Sequence, residues 1–218
     1  MKYRIHIESN KFSMMTMLTD TKFIKKSHFT EYLLQKNFMY EGYFKKWVFY
    51  PGMLFASQDK WWGDLKNRNR PHEGLDILLY SDYKDRIVSI DQTTRIPAMF
   101  DGIIAKVMSD LLGKSVLIEH CRDSENKRRF CTIYAHTNPE QKIDAGIRIK
   151  EGDVIATISG AGKQKAAISP HLHISVAWID DFISYDNLDW NIIGSSKGVN
   201  LLDPIGVIGG PYCVVPSG

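Results

Sequence analysis

Cysteine is scarce in this chain. Only Cys121, Cys131 and Cys213 occur in 218 residues, and none has C-x-x-C spacing. That argues against a metal site built from thiolates. Cys121 and Cys131 flank the polar stretch RDSENKRR, so they read either as a cross-hairpin disulfide or as two thiols. Long apolar runs are missing too. None approaches the ~18–20 residues of a membrane span. The first twenty residues, MKYRIHIESNKFSMMTMLTD, are basic but lack a continuous apolar stretch, so they do not read as an ordinary secretory signal. On that reading the protein either stays inside the cell or is a trimmed form with Met1 added. No internal repeat of 20–50 residues is visible.

What is present is ordinary in bulk and uneven in detail. The composition, 44% hydrophobic and 24% charged, is that of a globular protein, and the length suits one large domain or one domain with an extension. The net charge of +3 hides a gradient. Residues 1–70 carry 13 basic and 6 acidic side chains, residues 71–177 carry 14 of each, and residues 178–218 carry 1 and 5. The basic front reads as a solvated face, or as one suited to an anionic surface. No nucleic-acid-binding motif accompanies it.

Residues 1–50 differ from the rest and read as an N-terminal accessory segment of mixed α/β character. KYRIHIES alternates like a strand. Ser27 is placed to cap a short helix over HFTEYLLQKN, with Phe29 and Leu33 at helical spacing. Residues 51–218 read as the main domain. From about residue 70 it consists of short β-rich pieces: LDILLY, IPAMF, GIIAKVM, SVLIEHC, FCTIYAH, IRI, DVIATIS and HLHISVAWI. Gly, Asp, Asn and Pro separate them, and no long helical period intervenes. The expected fold is therefore mainly β, an antiparallel sandwich or barrel-like domain.

The chemistry concentrates in histidines. RPHEGLD gives an H-x3-D pair, His72 and Asp76; TIYAHTNP puts His136 at a strand end; SPHLHISV supplies His171 and His173. In a strand, residues i and i+2 share a face, so the last two rings lie side by side. Two such rings need partners, since unpaired polar groups are costly to bury. Zinc accepts imidazole nitrogen and carboxylate oxygen, and a catalytic site uses three protein ligands with one position left open. His72, Asp76 and one histidine of the HxH pair make such a set, and the remaining imidazoles suit proton transfer near neutral pH. HEGLD is not H-E-x-x-H, which excludes a helical zinc site with Glu as base. Trp61, Trp62 and Tyr80 flank this segment as candidates for either a groove or the core.

The ordered set HEGLD, FDGIIAKV, GKSVLIEH, IYAHT, AGIRIKEGDVIATIS and SPHLHISV resembles the lysostaphin and LytM type of zinc endopeptidase from residue 70 to 177, with NLLDPI like that family's closing strand. The resemblance implies a bacterial cell-wall hydrolase with one Zn2+ held by His72, Asp76 and His173. It implies catalytic, non-ligand roles for His136 and His171, leaving His6, His28 and His120 structural. The implied substrate is a peptide bond of peptidoglycan, in a cross-bridge or cross-link, and the implied location is periplasmic, extracellular or at the wall. Departures from the family pattern are Glu73, Ser169, Ser175 and the loop AGKQKAAIS. The oxyanion-supporting tyrosine of some members has no clear match here; Tyr80 and Tyr134 are weak candidates. Three other readings compete: a metal-binding but occluded or non-catalytic module that binds wall or regulates other hydrolases; a hydrolase of the same fold with a non-wall substrate; and a lipoyl-like carrier. IPAMFDGIIAKV and KEGD favour the last, but it lacks a modifiable lysine at a hairpin tip and leaves the histidines unexplained.

Overall fold

A computed structural model of the chain describes residues 25–39, 43–63, 66–160 and 168–216. The strand expected over KYRIHIES, His6 and most of the loop AGKQKAAIS lie outside these residues. The elements in order are α1 (Phe29–Lys36), β1 (Lys46–Phe49), β2 (Leu75–Ile77), β3 (Leu79–Ser81), β4 (Ile87–Ser89), β5 (Arg95–Pro97), β6 (Gly102–Ser109), β7 (Lys114–Asp123), β8 (Arg128–Pro139), β9 (Arg148–Ile149), β10 (Val154–Ile158), β11 (Leu172–Asp180), α2 (Trp190–Ser195), β12 (Val199–Leu202), α3 (Ile205–Ile208) and β13 (Tyr212–Val214). Among the described residues, no helix is long and apolar enough to cross a membrane.

The strands form two open sheets rather than a closed barrel. The larger runs β12-β11-β8-β7-β6-β9, with β2 on β11 and β10 joining β8 to β5. The smaller runs β13-β1-β3-β4. Pairing is antiparallel throughout except for β1 with β13. LDILLY divides at Leu78 into β2 and β3, which belong to different sheets. That crossing draws both sheets around one core. Residues 46–49 lie inside the smaller sheet, between β3 and β13, and Trp47 is wholly buried there.

Strand β11 explains why the large sheet is covered on both sides. Leu172, Ile174, Val176 and Trp178 alternate onto the main core with Phe130 and Tyr134 of β8. Ala177 and Ile179, on the opposite face, pack with Cys131 and Ile133 of β8 and with Ile183, Leu188 and Ile193 from the segment after β11. Each of the buried Leu, Ile and Val side chains among these contributes roughly 1.5–3 kcal/mol. That segment covers one end of the second face. The histidines occupy the other end.

Three local expectations resolve differently or more sharply. His28, not Ser27, is the N-cap residue of α1 and makes no side-chain cap, while Ser27 Oγ accepts from Phe29 N at 3.3 Å and donates to Val207 O at 2.9 Å. The hydroxyl thus anchors the helix entry to α3. Of IPAMF only Ile96 and Pro97 belong to a strand, β5. The three cysteines are free thiols: Cys131 is buried, which pushes its thiol up to about 12, and Cys121 is exposed.

His120 lies away from the other histidines. Its Nδ1 donates to Asp101 O at 2.8 Å and its Nε2 meets Thr132 Oγ1 at 2.7 Å. Burial lowers it from 6.5 to about 4. Between these values the unfolded chain binds the extra proton, so stability falls as pH drops from 6.5 towards 4. The contribution is up to about 3 kcal/mol. Urea unfolding of wild type and His120→Gln across this range should show a shallower acid loss in the variant. Parallel curves would contradict it.

Candidate metal and catalytic site

Three pieces of chain meet at the site. His72 precedes β2, Asp76 lies within it, and His173 lies on β11. β2 pairs antiparallel with β11 so that Asp76 stands directly opposite His173. Opposed residues present their side chains on one face. H-x3-D and H-x-H therefore converge across 97 positions of sequence. Gly74 makes the approach possible: a Cβ there would collide with the Ile174 carbonyl and reach 2.8 Å from His173 Nε2.

The resulting cluster is compact. His72 Nε2 lies 3.1 Å from Asp76 Oδ1 and 3.0 Å from His173 Nδ1, and His173 Nδ1 lies 2.8 Å from Asp76 Oδ1. All three residues are buried, and together they could hold a metal ion. A tetrahedral ion with bonds of about 2.0–2.1 Å spaces its ligand atoms by roughly 3.3 Å. The donors sit close to that spacing, so the residues fit the group.

Outer partners turn each donor inward. His72 Nδ1 donates to Leu54 O at 3.0 Å, which leaves Nε2 with its lone pair. Asp76 Oδ2 accepts the Trp61 indole N–H at 2.6 Å and faces the Arg68 guanidinium at 3.5 Å, so Oδ1 is directed at the imidazoles. Ser175 Oγ lies 3.0 Å from His173 Nε2 and accepts its proton when Nδ1 is bare. Such partners set the tautomer and orientation of metal-binding side chains.

The protonation states agree with this arrangement. Burial alone drives the Asp76 carboxyl upward, but the surrounding imidazoles of His72, His171 and His173 outweigh it and hold the group well below the usual range. Burial lowers His173 to about 4 and lowers His171 as well, against the pull of Asp76. Near neutral pH the Asp76 carboxylate is ionised and His173 is neutral, the forms that ligate a divalent ion.

The two other imidazoles border the same space. The ring of His136 is 4.9 Å from that of His171 and 5.8 Å from that of His173. His171 Nδ1 donates to Ser169 O at 2.8 Å, and its Nε2 stays 3.7 Å from Asp76 Oδ1. His136 sits on a bulge: Lys114 pairs with Thr137 but Val116 pairs with Tyr134, so β8 carries one extra residue. Its φ is 62°. Bulges of this kind re-aim a side chain. The cleft in front has a volume of about 250 Å³, with Trp62, Arg68, Leu111, Ile168 and Trp190 among its walls.

All five site residues expected from the sequence thus come together. The aromatic candidates divide. Trp62 lines the cleft, Trp61 lies buried behind Asp76, and Tyr80 packs on Phe44 and Trp47 in the core. Tyr134 is fully buried, with its hydroxyl accepting Met99 N at 2.7 Å, so neither tyrosine borders the site. Sequence reading missed Asp110, Arg68 and Trp190. Trp190 stacks edgewise on His173 at 5.2 Å and donates to Ser115 Oγ at 3.1 Å. Ser175 was noted only as a departure, although its i+2 offset from His173 already placed both side chains on one face.

A buried carboxylate between two imidazoles, on an antiparallel β-scaffold and open to a cleft with two further imidazoles, defines the class: a candidate hydrolytic metal centre. The chain belongs to peptidase family M23, whose family model matches residues 70–184. No curated protein matches the chain. Among solved structures, a lytM from Ruminococcus gnavus aligns at 19% identity over 65% of this chain and 49% of its own, with a TM-score of 0.40. The chain thus spans about half the length of that relative. LytU aligns at 18% identity over 76% and 86%, with a TM-score of 0.43. A mutant of the catalytic domain of the prophage-encoded M23 protein EnpA from Enterococcus faecalis aligns at 18% identity over 66% and 87%, with a TM-score of 0.36.

The Trp61 hydrogen bond offers a direct test of the cluster. Trp61→Phe keeps the ring and removes the donor to Asp76 Oδ2. Zinc affinity, measured by competition with a chelator, should fall about 10–100-fold. Affinity equal to wild type would show that this partner does not orient the carboxylate.

Proposed function

We propose that this protein is a zinc-dependent endopeptidase that hydrolyses a peptide bond in bacterial peptidoglycan, in a cross-bridge or a cross-link. The observation that carries the reading is the buried His72, Asp76 and His173 cluster opening onto a cleft bordered by His136 and His171. Zinc, when bound to those three residues, supplies Lewis acidity towards a water and the scissile carbonyl.

The protein's own groups do the remaining work. Either His136 or His171 accepts a proton from the attacking water at Nε2. The other, only once it has gained a proton at Nε2, donates to the developing oxyanion or to the leaving amine. No glutamate stands in a base motif. A cleft of about 250 Å³ with Trp62, Leu111, Ile168 and Trp190 among its walls suits a peptide of small residues, such as glycine or D-alanine. This substrate would place the protein in the periplasm, outside the cell or at the wall.

Arg68 favours a second reading. A guanidinium 3.5 Å from the ligand carboxylate, on the wall of the cleft, opposes the approach of a divalent ion. The protein would then be a metal-binding but occluded or non-catalytic module that binds wall or regulates other hydrolases.

Digestion of purified peptidoglycan of several wall types, with fragments identified by mass, separates the two. Wild type should release peptide fragments. His171→Ala should keep zinc and lose release, and His173→Ala should lose zinc. Absence of fragments from every wall, with one zinc per wild-type chain, would favour the second reading. Zinc lost in His171→Ala and kept in His173→Ala would reverse the ligand assignment.

A further inference from the structure

His136 is held by a group that the reading above leaves without a role. Asp110 lies in the turn between β6 and β7, and its side chain is almost completely buried. Its Oδ1 accepts Leu112 N at 2.9 Å and Gly113 N at 2.8 Å, and faces His136 Nδ1 at 3.1 Å. Its Oδ2 accepts Ser115 Oγ at 2.7 Å and the backbone N–H of His136 at 2.8 Å. One carboxylate thus grips both the ring and the main chain of the same histidine.

Two features make this more than a turn contact. First, the backbone of His136 is left-handed, at a φ of 62°. That conformation is uncommon for a residue with a side chain and persists only where its surroundings hold it. Asp110 holds the N–H, and the His136 carbonyl accepts Ser159 N at 2.7 Å. Second, an ionised carboxylate only accepts hydrogen bonds, so a His136 ring facing it carries its proton on Nδ1. Nε2 is then bare, and it has no hydrogen-bond partner among the described residues. The cleft is lined by both Asp110 and His136.

We propose that Asp110 is the positioning residue for His136: it fixes the bulged backbone, the ring orientation and the Nδ1–H tautomer, so that Nε2 presents a lone pair to the cleft. The catalytic consequence rests on the peptidase reading above. Within it, His136 Nε2 takes a proton from water as the water oxygen bonds to the scissile carbonyl carbon. The imidazolium, facing Asp110, then returns that proton to the amine nitrogen as the C–N bond breaks. A carboxylate that orients a catalytic imidazole in this way is worth roughly 10⁴-fold in turnover where it has been removed by a single Asp→Asn change.

The test begins without any substitution. Long-range ¹H–¹⁵N correlation spectra of the full-length zinc-loaded protein, at a pH well above the ordinary imidazole value of ~6.5, report the tautomer of each histidine. His136 should show a protonated Nδ1 and a bare Nε2. Predominant Nε2–H in wild type would overturn the proposal. Asp110→Asn should keep one zinc per chain, lose the fixed tautomer, and slow fragment release by roughly 10²–10⁴-fold. Release within about threefold of wild type would overturn it equally. If Asp110→Asn fails to fold, the wild-type spectrum still decides. If wild type releases no fragments, the peptidase reading fails while the spectrum still tests the positioning.

Discussion

The arrangement depends on one buried charge. Asp76 sits between imidazoles with almost no exposure, and an ionised carboxylate in such a place must be paired and hydrogen-bonded. Its two oxygens divide the task. Oδ2 is satisfied by the Trp61 indole behind it and by Arg68, which lines the cleft, and Oδ1 faces His72 and His173. Neutral imidazoles satisfy that oxygen only in part. A divalent cation would complete the pairing, which is the physical reason to treat the cluster as a candidate metal centre.

The fold supplies this geometry through register. Opposition of Asp76 and His173 follows from the β2–β11 ladder, and a slip of one residue would turn His173 to the other face. Register on β11 is itself pinned by two cores. Leu172, Ile174, Val176 and Trp178 must face one, and Ala177 and Ile179 the other. The same segment that closes the second core, residues 181–198, brings Trp190 against His173. Core packing and cleft shape are therefore coupled through one stretch of chain.

Much of this was legible in the sequence. The strand runs, the HxH side-sharing rule and the H-x3-D pair are local patterns, and local patterns survive into structure. The outer partners were not legible, because their meaning is set by contacts between distant segments. Asp110 in SDLLGKS reads as ordinary turn chemistry, and nothing local ties it to a histidine 26 positions later. Trp190 reads as one more aromatic residue in an insertion. Trp61 and Trp62 are adjacent and alike in sequence, yet one lies behind the carboxylate and the other lines the cleft. The split of LDILLY at Leu78 also escaped notice, since a continuous apolar run gives no sign of where a chain changes sheets.

The central claim, a single metal ion held by three buried side chains with one position open, is tested most directly by crystallising the full chain with zinc and recording anomalous diffraction at the zinc edge. The account predicts one strong peak bonded to His72 Nε2, Asp76 Oδ1 and His173 Nδ1, with His136 and His171 outside the bonding shell. A peak elsewhere, no peak at this cluster, or a fourth protein ligand closing the ion would contradict it.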